Sequence, residues 1–412
     1  MLKAIEIEGF KSFGSPARRI DLSPLTFVVG PNASGKTNFL SALRFLQSAV
    51  TQDAEFAVND MGGASEVRCK LQREKKQPKP FRVRVWLDDC VDISNPLVGL
   101  PASKAGAPKH AQVSDFDYTL AIDLRREDGV PVILEERLRA NLKHGDECST
   151  YTLSRDLNAV KISDPLQPTS SGNFVVPEQE RARPAINAGF FSFPAVMFRR
   201  LVHDWAFYNV SPLVARQSYR ELPDSTLGLS GENLSVVLHR LEARNGEHGL
   251  KTITENLRGA VPGFESVHTV KSDFEGRWAL TVHETKVPGS INPSSISDGT
   301  IRLLALMVIA NLGAQKRSLI AIEEPENSIH PHLSKHLVDI FRETSSSSQI
   351  IATTHNPAFL DFLEPNEVLL CGKVEGFTRI RRVDDVAEIE RFRKHFTLGE
   401  LWVQGTFDEI LD

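Results

Sequence analysis

Apolar and charged positions alternate from Lys3 to Glu8, placing Ile5 and Ile7 on one face, and this period of two predicts a strand. Leu25-Thr-Phe-Val-Val29 is instead a continuous run of β-formers between Pro24 and Gly30, the pattern of a strand covered on both faces. From Lys36 to Val50 the spacing changes to that of a helix, with Phe39, Leu40, Leu43, Leu46 and Val50 on one side. Segments 66–71, 81–87, 118–124 and 132–138 predict an antiparallel sheet whose connections, such as 75–80 and 101–109, are rich in Pro, Lys and Gly. Residues 155–190 carry many Pro, Ser and Gly and predict a loop or insertion. Helical patterns follow at 231–245 and 249–258, then a strand at 278–284. Beyond Pro293 the chain returns to alternating elements: helix 299–312, strand 319–322, helix 331–344, strand 349–353 and a closing hairpin from 368–371 and 377–383. The expected class is α/β: a mixed sheet with helices on both sides, an antiparallel β-subdomain and a helical or loop insertion. The expected division is 1–145, 146–290 and 291–412.

Composition narrows the function. The chain has 412 residues, 41% hydrophobic and 25% charged, the balance of a folded globular protein. A net charge of −5 supplies no overall basic field, so nucleic acid would have to meet a local patch. Cys69, Cys90, Cys148 and Cys371 are widely spaced, which argues against structural zinc and disulfides and fits a reducing compartment. The longest apolar stretch, Leu303–Ala310, is far short of the roughly 20 residues that cross a bilayer, and the start lacks a signal-peptide core. A cytoplasmic protein without membrane contact is expected.

Gly30-Pro-Asn32-Ala-Ser34-Gly35-Lys36-Thr37 matches G-x-x-x-x-G-K-[ST] and lies where it must, after a buried strand and opening a helix. Its glycines let backbone N–H groups turn toward phosphate oxygens, Lys36 reaches the β- and γ-phosphates, and the Thr37 hydroxyl ligates Mg²⁺. Ser318-Leu-Ile-Ala-Ile-Glu323-Glu324-Pro325-Glu326 is an apolar strand ending in acids. Alone it would be a solvated loop. After such a strand, Glu323 is expected to hold Mg²⁺ and Glu324 to polarise the attacking water. His355 ends another apolar strand, Ile350–Thr354, and is placed to hydrogen-bond a γ-phosphate. Ser297-Asp298-Gly299-Thr300 precedes a long apolar helix; it reads equally as an N-cap or as a helix terminus offered to a nucleotide held by a second subunit.

In this order the four pieces resemble the ABC-type ATPases of the SMC/RecF/OLD-like family. Gly9-Phe-Lys-Ser-Phe13 followed by Gly30–Asn38 is similar to the start of an SMC head, and Gly231–Leu241 to a helix of RecF-like single-chain ATPases. The resemblance makes Ser297–Thr300 the signature motif, Leu319–Glu324 the Walker B strand, Asn327–Pro331 the D-loop and His355 the switch histidine. It implies ATP and Mg²⁺ as ligands and a head-to-tail dimer around two ATP molecules. Two departures stand out: Glu323 replaces the usual aspartate, and the signature reads Ser-Asp-Gly-Thr. Gln72 is the candidate Q-loop glutamine.

OLD nucleases continue into a TOPRIM domain, for which the residues after His355 are too few despite Asp384, Asp385 and Glu388. Long coiled coils are absent as well. The expected protein is therefore an ATPase subunit controlling a separate effector, such as a TOPRIM-like nuclease, in phage defence or DNA repair. The alternatives are an ATP-dependent scaffold with negligible turnover and a self-sufficient nuclease. Basic clusters at 73–76, Arg199-Arg200, Arg379/Arg381/Arg382 and Arg391/Arg393/Lys394 read as solvated faces or as short phosphate tracks for DNA.

Overall fold

The computed structural model describes residues 1–72, 79–92, 111–125, 129–166, 171–187, 192–221, 226–245, 248–272, 276–313, 317–384, 389, 392 and 395–405. The alternating opening segment forms strand β1 (Leu2–Glu8), followed by β2 (Arg19–Asp21) and β3 (Leu25–Val29). β1 and β2 lie in a nine-stranded antiparallel sheet with β4 (Phe81–Leu87), β5 (Val91–Asp92), β6 (Ala111–Asp123), β7 (Val132–His144), β8 (Glu147–Arg155), β9 (Ala159–Ser163) and β10 (Gly172–Val175). Its order is β10-β9-β8-β7-β6-β4-β1-β2, with β5 paired to β6.

β3 leaves that sheet for a second one. It joins β11 (Trp205–Tyr208), β15 (Leu319–Glu323), β16 (Gln349–Thr354), β17 (Val368–Val374) and β18 (Phe377–Arg382) in the order β11-β15-β16-β3-β17-β18. All pairings here are parallel except the β17–β18 hairpin. Between these strands, β12 (Tyr219–Arg220), β13 (Phe264–Lys271) and β14 (Arg277–Glu284) make a small third sheet.

The parallel sheet is buried on both faces, which is why its strands read as unbroken apolar runs. Val28, Leu319, Ala321 and Ile351 face one core, shared with the Lys36–Thr51 helix and the nine-stranded sheet. Phe27, Val29, Ile320, Ile322, Ile350 and Ala352 face the other, closed by the helices Leu234–Asn245, His248–Ala260, Asp298–Gly313 and Ser334–Thr344. The Asp298–Gly313 helix is buried nearly all round, as its apolar run Leu303–Ala310 requires. No helix among the described residues is long and apolar enough to cross a membrane.

Four expectations change. Residues 66–71 do not form a strand: Ala64–Val67 is a helical turn and Lys70–Gln72 a 3₁₀ turn. The helical turn ends at Arg68, which is extended and forms an isolated antiparallel bridge with Phe10, and Lys70 pairs with Glu66 at 3.0 Å. The stretch 155–190 is not simply loop, since β9 and β10 extend the antiparallel sheet there. β6 and β7 each run to 13 residues because the β6–β7–β8 ladder continues beyond the apolar segments. Helix Phe193–His203 and strand β11 follow where no element was expected. The clusters 73–76 and Arg391/Arg393/Lys394, the connection 101–109, the acids Asp385 and Glu388 and the side chain of Gln72 lie outside the described residues.

One buried amide ties the two large sheets together. At the start of β16, Gln349 accepts the Leu2 N–H at 2.8 Å and donates to the carbonyls of Leu2 at 2.8 Å and Ser23 at 3.0 Å. Gln349→Leu strands both polar groups of Leu2, and we expect a loss of about 1–3 kcal/mol, read as a lowered midpoint in chemical denaturation.

Candidate functional site

β15, β16 and β3 are neighbours and parallel, so the turns after them meet at one sheet edge. Backbone hydrogen bonds stitch these turns together. Gly30 N–H donates to the Thr354 carbonyl at 3.3 Å, and Glu324 N–H to the Thr353 carbonyl at 3.0 Å.

The phosphate loop folds as a cradle that only glycine permits. A Cβ at Gly30 would lie 2.1 Å from the Cys371 carbonyl oxygen. Gly35 has φ +115°, and a Cβ there would lie 2.0 Å from Thr378 Oγ1. Gly35 precedes the Lys36–Thr51 helix, and no side chain caps that terminus. Its free N–H groups and partial positive charge are therefore presented to an anion. Asn32 and Thr37 are exposed there, and Ser34 is buried. The loop is braced from behind: Asn38 Nδ2 donates to Ser12 Oγ at 2.7 Å, Ser12 Oγ lies 2.6 Å from Thr378 Oγ1, and Thr378 Oγ1 donates to the Ser34 carbonyl at 2.9 Å.

Lys36 is buried. Its Nζ donates to the carbonyls of Gly30 at 2.8 Å and Pro31 at 3.1 Å and pairs with Glu324 Oε1 at 3.4 Å. Glu324 Oε2 takes the His355 backbone N–H at 3.2 Å and lies 2.6 Å from His355 Nδ1. Because an ionised Glu324 only accepts, that contact puts the proton on Nδ1 and turns Nε2 away from Glu324. Glu324 itself has φ +44°, a left-handed conformation that costs a non-glycine residue roughly 1–2 kcal/mol. Arg302 helps hold it there. This buried guanidinium, on the Asp298–Gly313 helix, donates to the carbonyls of Val210 at 2.5 Å and Glu324 at 2.6 Å.

Glu323 points elsewhere, accepting from Asn209 Nδ2 at 3.2 Å. Burial, and then the Glu324 charge, push its carboxyl above the ordinary glutamate value, while Lys11 and Arg44 oppose the shift. Thr37 and Glu323 are oxygen donors at the uncapped helix end after β3 and at the end of β15. This set fits a hard cation such as Mg²⁺.

Ser297 and Asp298 are exposed. Ser297 Oγ accepts the Thr300 N–H at 3.1 Å, so the N-cap expectation holds. Gly299 is pressed against the next loop, where a Cβ would come 2.6 Å from the Ser328 carbonyl. Asp298 pairs with Arg216. Among the described residues, no hydrogen bond or ion pair joins Ser297 to the phosphate loop of the same chain.

Sequence reasoning missed Arg302, Asn209, Thr378 and Glu326. Asn209 follows β11, whose four residues are too few to show a period; the aromatic run Trp205–Tyr208 before Asn-Val-Ser-Pro was its signal. Arg302, one charge inside an apolar helix, was a legible anomaly.

Family models match both parts of the chain: an "AAA ATPase domain" over residues 1–161 and an "AAA domain, putative AbiEii toxin, Type IV TA system" over residues 158–361. Chromosome partition protein Smc of Halothermothrix orenii is 49% identical over 53 residues, and that of Clostridium kluyveri 49% over 45. Each stretch is 4% of the relative's length, about a ninth of this chain (12% and 11%). Among solved structures, an Smc head bound to the C-winged helix domain of ScpA aligns with TM-score 0.52 at 14% identity, covering 92% of this chain and 96% of that one. An Smc head with extended coiled coil, bound to the C-terminal domain of ScpA derived from Pyrococcus furiosus, gives 0.51 at 13%, covering 95% and 99%. The fold is that of an Smc head and the matched models are AAA ATPase domains, and these findings together support an ABC-type ATPase of the SMC/RecF/OLD-like family.

Gly35→Ala should collapse the cradle through its φ and its approach to Thr378. We expect at least a tenfold weaker binding of a fluorescent ATP analogue, with the circular dichroism spectrum retained.

Proposed function

We propose that the chain is an ATP-hydrolysing switch subunit that closes head-to-tail with a second copy around two ATP molecules and governs a separately encoded effector. The observation that carries this reading is the contact of Lys36 with Glu324, which brings the phosphate loop and the acidic turn into one pocket. In the same chain Ser297 faces solvent and touches neither.

In this mechanism the phosphates draw Lys36 away from Glu324 and settle on the N–H groups of Gly35 to Asn38. Mg²⁺, held by Thr37 and Glu323, would neutralise phosphate charge. Freed of the ammonium, Glu324 accepts a proton from water; the water oxygen bonds to the γ-phosphorus as the bond to the β,γ-bridging oxygen breaks, leaving ADP and phosphate. His355 contacts the γ-phosphate. Ser297 and the N-terminus of the Asp298–Gly313 helix in a second copy complete the site. Arg302, on that helix, grips the backbone of Glu324 and so links the docking surface to the base.

The effector is proposed as a nuclease, with DNA contact falling to Arg379 and Arg381 on β18. The description of the matching toxin–antitoxin family model supports a role in phage defence, and the ScpA-bound Smc heads support a partner protein. Arg382 pairs with Asp384, and Arg199 donates to the Thr51 carbonyl.

Lys36→Ala should abolish ATP binding. Glu324→Gln should lower turnover at least a hundredfold and trap an ATP-dependent dimer in size-exclusion chromatography, whereas Ser297→Arg should bind ATP yet stay monomeric. A Glu324→Gln protein that hydrolyses ATP at the wild-type rate would defeat the assignment of the base.

A further inference from the structure

Glu326 has no part in the steps above, yet its position is unusual. It lies in the acidic turn and is only 7% exposed. One carboxyl oxygen, Oε1, receives the Thr354 hydroxyl. Thr354 Oγ1 already accepts the Asn356 N–H at 3.0 Å, so its own hydrogen is directed to Glu326. The other oxygen, Oε2, is buried and meets no donor. Glu324, Glu326 and His355 each bring one atom into a cluster whose members lie within 4.8 Å of one another.

Two ionised carboxylates cannot share such a space without a proton or a cation between them. The cations nearby are engaged. The Lys36 ammonium sits 3.4 Å from Glu324 Oε1, on the phosphate-loop side. His355 Nδ1 is committed to Glu324 Oε2. Arg302 spends its N–H groups on main-chain carbonyls of Val210, Glu323, Glu324 and Pro325. Glu323 adds a further negative group on the same turn. A proton is the partner that fits.

We propose that Glu326 is a positioning residue of the hydrolytic site: it carries a proton on Oε2 and donates it to the Glu324 carboxylate, fixing the orientation in which Glu324 receives the water's proton. The proposal rests on Glu324 being the base. Burial, first, and the Glu324 charge push the Glu326 carboxyl up to about 8, so the proton is present at neutral pH. It stays on Glu326 throughout; the proton taken from water goes to Glu324.

The test compares Glu326→Ala with Glu326→Gln, whose amide N–H₂ replaces the proposed O–H donor. Glu326→Ala should lower kcat about tenfold to a hundredfold with the KM for ATP little changed, and Glu326→Gln should recover most of that loss. Wild-type kcat should fall as pH rises through about 8, where Glu326 ionises, and the Gln variant should lack that fall. A second readout needs no turnover. A carboxyl whose folded value exceeds its ordinary 4.5 binds a proton the unfolded chain lacks, so its contribution to stability is lost as pH rises toward 8. The Tm of nucleotide-free Glu326→Gln minus that of wild type should therefore grow between pH 5 and 8. A constant difference, or a Gln variant as slow as Ala with the alkaline fall unchanged, would overturn the proposal. So would Mn²⁺ binding by nucleotide-free protein that Glu326→Gln abolishes, which would put a cation where the proton is proposed. Full turnover by Glu324→Gln would instead remove the base while leaving the Tm result to report on Glu326.

Discussion

A buried ammonium must be neutralised, and in this protein Lys36 is neutralised by a carboxylate from the opposite end of the chain. That one requirement explains much of the architecture. The lysine turn follows β3 and the acid follows β15, and they meet because β16 lies between the two strands and all three run the same way. A single antiparallel strand in this set would have sent one turn to the far edge of the sheet. On the proposed mechanism an incoming polyphosphate would offer Lys36 more negative charge than Glu324 does, coupling its binding to release of the acid. The backbone of Glu324 is left-handed, and Arg302 gathers four carbonyls around its turn.

The sheet can hold its turns so rigidly because it is covered on both faces. The antiparallel sheet closes one side through the phosphate-loop helix, and the helices of the second core close the other. Several buried polar groups serve the main chain. Gln349 satisfies Leu2 and Ser23 across the sheet boundary, and Arg302 satisfies the turn after β15. Buried Glu136 takes the N–H groups of Ala185 at 2.5 Å and Ile186 at 3.3 Å, fastening the segment after β10 to β7. Burial raises the Glu136 carboxyl, and these hydrogen bonds and Arg155 counter it.

Low overall identity beside a shared fold has the same origin. A sheet buried on two sides accepts many apolar sequences, as the 13–14% identity with Smc heads illustrates. The phosphate loop tolerates far less, because a Cβ at Gly30 or Gly35 would collide with the Cys371 carbonyl or the Thr378 hydroxyl.

The sequence alone determined the elements whose signals are local. The buried run of β3, the loop chemistry of Gly30–Thr37, the apolar strand before Glu323 and the helix start at Ser297 all depend on neighbours a few residues away. Tertiary structure decided what depends on partners across the fold. β9, β10 and β11 are short segments paired against neighbouring strands, whereas 66–71 folds into short helical turns with a single bridge to Phe10. The same distinction runs through the site. Lys36, Glu324 and His355 could be picked out by residue type and strand end. Asn209 beside Glu323, Arg302 beneath the turn and the enclosed carboxyl of Glu326 are set by which side chains the packed chain brings within a few ångströms, and no spacing along the sequence encodes that.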